Sequence, residues 1–184
     1  MTGDQKAGEA RIAEANAVSS SGGSDHVFSI DLVRRRYRAD VMIRSVGDMS
    51  REIASNLAEA AELHAAGIGI TIAVSIVDRG GHLVLAVRMD GTALCAMPIA
   101  ANKAETAVLT GALTAVSFAA TQPGEPDWGF NSVLAGRYTC MPGGLPVISA
   151  DEVIGGIGIS GGQPAQDIDC ALAALARLAE LGVK

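Results

Sequence analysis

The sequence predicts an α+β domain in which antiparallel β-hairpins alternate with helices. A β-branched run, 70–77, is followed by the turn 78–81 and a second apolar run, 82–88, and a similar pair of runs recurs at 145–148 and 153–159. An Ala-rich stretch of helical composition separates the two hairpins. Segregated hairpins with helices between them are typical of an α+β sandwich and not of a doubly wound parallel sheet.

The first half of this domain is predicted to form a helix, a hairpin and a second helix. Ser50 is a suitable N-cap for a helix that Gly67 ends. In the hairpin, Gly80–Gly81 supply the positive φ angles of a tight turn. The stretch 93–113 predicts the second helix, with Pro98 in its first turn. Helical spacing gives the first helix one apolar face, made of Ile53, Leu57, Ala60, Ala61 and His64.

The second half is predicted to begin with an irregular segment and to end with a helix. Residues 121–137 are rich in Pro, Gly and Asp, which favours a mobile loop over a pocket. Glycines inside the last strand, 153–159, indicate the close approach of another backbone. The pattern of 164–181 predicts an amphipathic helix that Gly182 ends. Its buried face is predicted to carry Ile168, Leu172, Leu175 and Leu178.

Composition argues against several classes of protein. The 184-residue chain has a formal net charge of −6, so it lacks the positive field that would hold a nucleic-acid backbone. Its three cysteines form no CxxC pair, which argues against a disulfide framework or a structural zinc site. No window reaches the length of a membrane span, and residues 1–23 lack the apolar core of a signal peptide. We therefore predict a cytoplasmic protein without nucleic-acid or membrane partners.

The chain is predicted to have two parts. Residues 1–48 form a flexible or partner-docking extension, because the Ser/Gly-rich run 19–24 has nothing to bury. The arginine run 34–38, interrupted by Tyr37, is interpreted as a solvated face or a contact with a partner. Residues 49–184 form the ligand-binding domain.

Five motifs carry a family resemblance: VDRGGHLV at 77–84, RMDG at 88–91, ANKAETA at 101–107, PGGLP at 142–146 and GISGG at 158–162. With these motifs in this order, the chain resembles the GlcG/HbpS-like family, often called haem-degrading, which includes the C-terminal domain of PduO-type proteins. The resemblance implies a profilin-like sandwich with a central five-stranded antiparallel sheet flanked by helices. It also implies homo-oligomers with pockets near subunit contacts, and haem as a possible cofactor.

The glycine-rich motifs are the first candidates for ligand binding. Gly161 and Gly162 precede the last helix, where backbone N–H groups could face a carboxylate or phosphate. Gly143 and Gly144 offer a second backbone nest. The alternative is that these glycines only permit turns and close packing.

Four charged residues form the candidate catalytic set. Lys103 could pair with a ligand carboxylate or, as a structural salt bridge, with Asp90, while Arg88 could bind a carboxylate bidentately. Glu105 stands where family members commonly carry a basic or small residue, and its charge would weaken the binding of an anion. Thr106, on the same helix, is a candidate ligand-binding residue.

The remaining candidates have equally plausible structural roles. Asp78 could bind a ligand or act as a general base, although aspartate at a hairpin turn commonly serves the turn itself. His64 is a candidate axial ligand for a haem iron. The alternative is that it has no ligand role, which is the commoner case for such a histidine. Asp167 and Gln166 are expected to complement the dipole of the last helix. Since no HxxxH or HxH pair exists, histidine spacing predicts no metal site.

Two functions follow from these observations. The first is the binding or degradation of haem or another carboxylated small molecule by a self-associating protein. The second is a cofactor-independent catabolic enzyme that acts on a small organic acid by proton transfer or hydrolysis. A non-catalytic assembly protein, whose arginine-rich segment binds a partner, is a third possibility. Whether the protein is an enzyme is left open by its sequence.

Overall fold

The computed structural model describes residues 46–182, except for the side chain of Leu134. Helices and strands alternate as the hairpin pattern predicts, and the predicted α+β class is confirmed. The predictions for residues 1–45 lie outside the described part of the chain. In order, the elements are α1 (Arg51–Gly67), β1 (Ala73–Asp78), β2 (Leu83–Arg88), α2 (Ala96–Thr110), two 3₁₀ helices (Ala119–Thr121 and Phe130–Gly136), β3 (Gly144–Ser149), β4 (Glu152–Ser160) and α3 (Pro164–Glu180).

The strands form one antiparallel sheet in the order β2-β1-β4-β3. Residues 46–182 supply four strands, one fewer than the family resemblance implies. Strands β1 and β4 lie at the centre of the sheet, while β2 and β3 lie at its edges. The central position of β4 brings the glycine-rich motif at its end close to both layers of helices.

Local sequence explains where the elements begin and turn. The Ser50 hydroxyl oxygen accepts a hydrogen bond from the Ile53 amide at 3.1 Å, which confirms the predicted N-cap of α1. Helix α3 begins with Pro164. The first N–H groups of a helix have no partner within it, so proline, which lacks an N–H, loses no helical hydrogen bond at this position. The turn between β3 and β4 uses Ala150 and Asp151 at φ 48° and 63°, the backbone region of a primed hairpin turn.

Helices α1 and α3 pack on one face of the sheet through small side chains. Leu172, predicted to be buried, is 48% exposed, and His64 lies half-buried at the margin of α1. The predicted burial of Leu172 is wrong. Alanines occupy the inner positions because they let two helices approach closely, and Leu172 lies toward solvent. The buried residues of the two helices are Ala54, Leu57, Ala58, Ala61 and Ala65 on α1, and Asp167, Cys170, Ala171, Ala174 and Leu178 on α3.

Helix α2 covers the opposite face and lies directly on glycines. A Cβ atom added to Gly158 would collide with the Ala100 carbonyl oxygen, and one on Gly156 would lie 2.5 Å from the Ala104 carbonyl oxygen. Gly144, paired with Gly158 across β3 and β4, would meet the Lys103 carbonyl in the same way. The close backbone approach predicted from glycines inside a strand is therefore confirmed.

The segment between α2 and β3 is irregular, as predicted for 121–137, apart from its short 3₁₀ helices. Phe130 and Tyr138 pack edge to face, with ring centroids 4.2 Å apart. Trp128 is 60% exposed. The proposal that this loop covers a pocket stays a prediction.

Within residues 46–182, no helix is both long and apolar enough to span a bilayer.

Candidate functional site

Lys103 and Asp167 form a buried ion pair that joins the two helical layers. Lys103 projects from α2, and its Nζ donates hydrogen bonds to Asp167 Oδ2 and to the Ile159 carbonyl oxygen, both at 2.7 Å. The two side chains are only 3% and 4% exposed. The partner of Lys103 is therefore Asp167 on α3, and not Asp90, which was the structural alternative considered from sequence.

Both glycine motifs surround this ion pair. The second oxygen of Asp167, Oδ1, accepts a hydrogen bond from the Gly162 amide at 2.9 Å. A Cβ added to Gly143, which has a φ of 115°, would lie 2.8 Å from Asp167 Cβ and 3.0 Å from Lys103 Nζ. The chain thus places its own carboxylate where a ligand anion was predicted before α3. The ligand-binding roles of Gly143, Gly144, Gly161 and Gly162 stay predictions.

The electrostatics of the pair follow from its burial. Desolvation lowers the pKa of Lys103, and its hydrogen bond and Coulombic attraction to Asp167 offset part of this effect. Removing one partner would leave the other charge buried and uncompensated. The arrangement is consequently suited to holding α2, β4 and α3 together.

Two threonines attach the irregular segment to α2 and β3. Thr106, 2% exposed, accepts a hydrogen bond from the Thr139 amide at 2.9 Å through its hydroxyl oxygen. The Thr114 hydroxyl donates to the Met141 carbonyl oxygen at 2.8 Å and accepts from the Gly144 amide at 3.0 Å. Thr106 therefore has a structural contact in addition to its predicted ligand role.

Glu105 projects from α2 toward the same segment. Its Oε1 lies 2.6 Å from Nη1 of Arg137, which follows the second 3₁₀ helix. The Glu105 side chain is 16% exposed and that of Arg137 is 58% exposed. The Glu105 carboxylate thus holds a cation of the chain itself.

The remaining members of the predicted catalytic set have local contacts. Arg88 Nη1 donates to the Thr92 carbonyl oxygen at 3.1 Å, which stabilises the bend after β2. Asp90 is exposed. The contacts described among residues 46–182 do not bring Lys103, Glu105, Arg88 and Asp90 into one cluster, and their catalytic roles stay predictions.

Asp78 organises the β1–β2 turn. Its Oδ1 accepts hydrogen bonds from the Gly80 and His82 amides at 2.8 and 2.9 Å and lies 3.2 Å from His82 Nδ1. Burial opposes ionisation, but these hydrogen bonds and the charge of His82 prevail, so the pKa of Asp78 is lowered. A role of Asp78 beyond the turn stays a prediction.

His64 lies in the last turn of α1. Its imidazole makes no hydrogen bond or ion pair with the other side chains and backbone groups of residues 46–182. Ala60, one helical turn earlier, lines a shallow groove together with Leu63 of α1 and Arg177 of α3. No three His, Cys, Asp or Glu side chains within 46–182 are grouped so that they could hold a metal ion.

Asp167 has a contact that sequence reasoning missed. It lies in the first turn of α3, as expected of a residue that complements the helix dipole, and it also pairs with Lys103. A signal was present, because Asp167 lies at helical spacing with Cys170, Ala171 and Ala174 on a small-residue face. Lys103 interrupts a similar alanine face on α2. Opposite charges placed singly on two buried faces require each other as partners.

Comparison with known proteins identifies the family. Residues 49–176 match the family model described as haem degrading protein HbpS-like. The chain is 35% identical over 138 residues to an uncharacterised 15.0 kDa protein from the dhaT–dhaS intergenic region of Citrobacter freundii, covering 75% of this chain and 97% of that protein. The chain belongs to the HbpS-like family.

Two further similarities concern PduO proteins. The corrinoid adenosyltransferase PduO of Citrobacter freundii is 30% identical over 153 residues, which cover 81% of this chain but only 46% of PduO. The crystal structure of a PduOC:haem complex superposes with a TM-score of 0.68 at 34% identity, covering 71% of this chain and 94% of that one.

Proposed function

We propose that this member of the HbpS-like family binds haem or a closely related carboxylated tetrapyrrole at the C-terminal end of α1. The observation that carries the proposal is the half-buried imidazole of His64, which has no partner among residues 46–182. A neutral imidazole nitrogen is a common axial ligand of haem iron. The likeness to a PduOC:haem complex supports the same class of ligand.

A groove lies one helical turn from His64, which is not itself one of its lining residues. Leu63 in this groove has a side chain that is 67% exposed and offers an apolar contact to a macrocycle. The other lining residues are Asn56, Glu59, Ala60, Arg177 and Glu180. Arg177 on the same groove carries a cation and donates to Glu180 Oε2 at 2.8 Å. Pairing of its guanidinium with a ligand carboxylate would exchange one anionic partner for another. Bound haem would supply iron chemistry, while the chain would supply the axial nitrogen and the groove.

Titration of the purified full chain with hemin tests this proposal. We expect a saturable shift of the Soret band, and a Kd at least about tenfold higher for His64→Ala, which corresponds to about 1.4 kcal/mol. His82→Ala is the matched control, because this exposed imidazole is already bonded to Asp78, and we expect it to leave the Kd unchanged.

Two results would contradict the proposal. Wild-type protein without a saturable Soret shift would exclude haem binding. Equal affinities of the wild type and His64→Ala would exclude His64 as the ligand.

The alternative of a cofactor-independent enzyme acting on a small organic acid receives less support from the contacts described. Lys103 neutralises Asp167, and the carboxylate of Glu105 is paired with Arg137. Turnover that disappears in Lys103→Ala and Asp90→Asn, with both variants folded, would favour this alternative.

A further inference from the structure

Residues 115–136 form a flap between two fixed points of the domain. Before the flap, Thr114 is tied to Gly144 of β3: the Thr114 amide donates to the Gly144 carbonyl oxygen, and the Gly144 amide donates to the Thr114 hydroxyl, both at 3.0 Å. After the flap, Arg137 Nη1 lies 2.6 Å from Glu105 Oε1 on α2. Since both ends are anchored, the contacts of the flap itself decide whether it can move between them.

The described hydrogen bonds inside the flap are local. The Thr121 hydroxyl donates to the Phe118 carbonyl oxygen at 3.0 Å, and the Asp127 amide donates to the Ala120 carbonyl oxygen at 3.0 Å. Among the flap residues whose side chains are described, only Thr121 is buried. A segment that carries its own hydrogen bonds and buries few side chains can open at a small part of the free energy of global unfolding.

Tyr138 is the residue on which the flap closes. Its ring is 6% exposed and packs edge to face against Phe130, with centroids 4.2 Å apart. A hydrogen bond joins the Tyr138 side chain to that of Ser117. Ser117 and Phe130 belong to the two halves of the flap, so one phenol holds both halves against the domain.

The Cys140 thiol lies close to this phenol. Burial raises the pKa of Tyr138, the hydrogen bond with Ser117 opposes the rise, and the charge of an ionised Cys140 adds to it, which requires the two groups to be neighbours. Cys140 is itself 7% exposed. The closed flap therefore shields a hydroxyl and a thiol.

We propose that the flap is a gate: it opens as a unit while the rest of the domain stays folded, and its opening exposes the Tyr138 hydroxyl and the Cys140 thiol to small solutes. The contact between Phe130 and Tyr138 is the closure that opening breaks. This inference does not depend on the ligand of the domain.

The other two cysteines provide internal references for a test on the wild-type full chain. Cys95 is exposed, whereas Cys170 is fully buried in the core formed with α1 and α3. Labelling of the native protein with iodoacetamide, followed by peptide mass spectrometry, measures each thiol separately. We expect Cys95 to react fastest, and Cys140 to react at least about tenfold faster than Cys170. Because flap opening exposes little of the core, urea below the unfolding transition should accelerate the labelling of Cys170 more steeply than that of Cys140.

A variant of the flap tests the closure itself. Phe130→Ala removes the ring that packs on Tyr138, and we expect it to speed the labelling of Cys140 about five- to tenfold without changing that of Cys170. Trp128→Ala is the matched control, because it removes another aromatic ring of the flap that is 60% exposed, and we expect it to leave the rate unchanged. Circular dichroism checks that both variants are folded.

Three results would overturn the proposal. Equal labelling rates and equal urea dependence of Cys140 and Cys170 in the wild type would show that only global unfolding exposes Cys140. Labelling of Cys140 as fast as that of Cys95 would show that no closed flap shields it. A folded Phe130→Ala variant with the wild-type rate at Cys140 would show that this ring contact does not hold the flap closed. Each of these results is distinct from the hemin titration.

Discussion

Helix α2 carries two ion pairs that differ sharply in their surroundings. Lys103 and Glu105 are two positions apart, so their side chains leave the helix in different directions. The Lys103–Asp167 pair is almost completely buried, whereas Arg137 in the Glu105–Arg137 pair is 58% exposed. The buried pair lies among family motifs, and the exposed pair holds a segment outside them. The buried pair therefore joins the two helical layers, whereas the more exposed pair attaches the irregular segment to α2.

The largest effect is expected where the buried pair is broken. Lys103→Met leaves the Asp167 carboxylate buried without a cation, and we expect it to lower the free energy of unfolding by about 3–5 kcal/mol. Adding Asp167→Asn removes the uncompensated charge while keeping an acceptor for Gly162, so the double variant should recover part of that loss. Urea unfolding measures both.

A decrease of less than about 1 kcal/mol in the free energy of unfolding of Lys103→Met would lie in the range of an exposed ion pair. It would contradict the proposed difference in strength between the two ion pairs.

An intermediate effect is expected at the glycine that lies against Lys103. In Gly144→Ala, the new methyl group would meet the Lys103 carbonyl oxygen and Thr114 Cγ2, so we expect a loss of about 1–3 kcal/mol from overpacking. Gly67→Ala is the control, because no atom lies within 4 Å of its added Cβ. Thermal unfolding compares the two variants. Equal melting temperatures would show that the contact between Gly144 and α2 can relax to accept a methyl group.

The smallest effect is expected at the exposed pair. Glu105→Gln removes the carboxylate charge beside Arg137, and we expect a loss of at most about 1 kcal/mol in the free energy of unfolding. The difference from wild type should shrink as salt is added, because exposed charges are screened. A larger decrease in the free energy of unfolding, unaffected by salt, would contradict this expectation. It would indicate that the Glu105–Arg137 pair stabilises the fold as strongly as a buried pair.

The elements of the fold were predictable because their signals are local. The N-cap at Ser50, the positive φ of Gly81 and the glycines of β4 each act through neighbouring backbone geometry. The positive φ predicted for Gly80 is wrong, because Gly81 alone supplies it in this turn. The buried faces of α1 and α3 were predicted less well. Periodicity ranks leucine above alanine, but close contact between two helices favours the smaller side chain.

The candidate site was predictable only in part, because ion pairing between distant segments has no local signal. The sequence indicated that Lys103 needs an anionic partner, yet 64 positions separate it from Asp167. Likewise, the sequence marked Glu105 as unusual without indicating Arg137. Which charges meet is decided by the packing of α2 and α3 around the end of β4.

The contact between α2 and the glycines of β4 also limits where a large ligand can bind. With Gly144, Gly156 and Gly158 against the helix backbone, the space between these surfaces is filled before any side chain is added. A planar macrocycle would have to lift α2 off the sheet to enter there. A haem-sized ligand is therefore expected to bind outside the contact between α2 and the sheet.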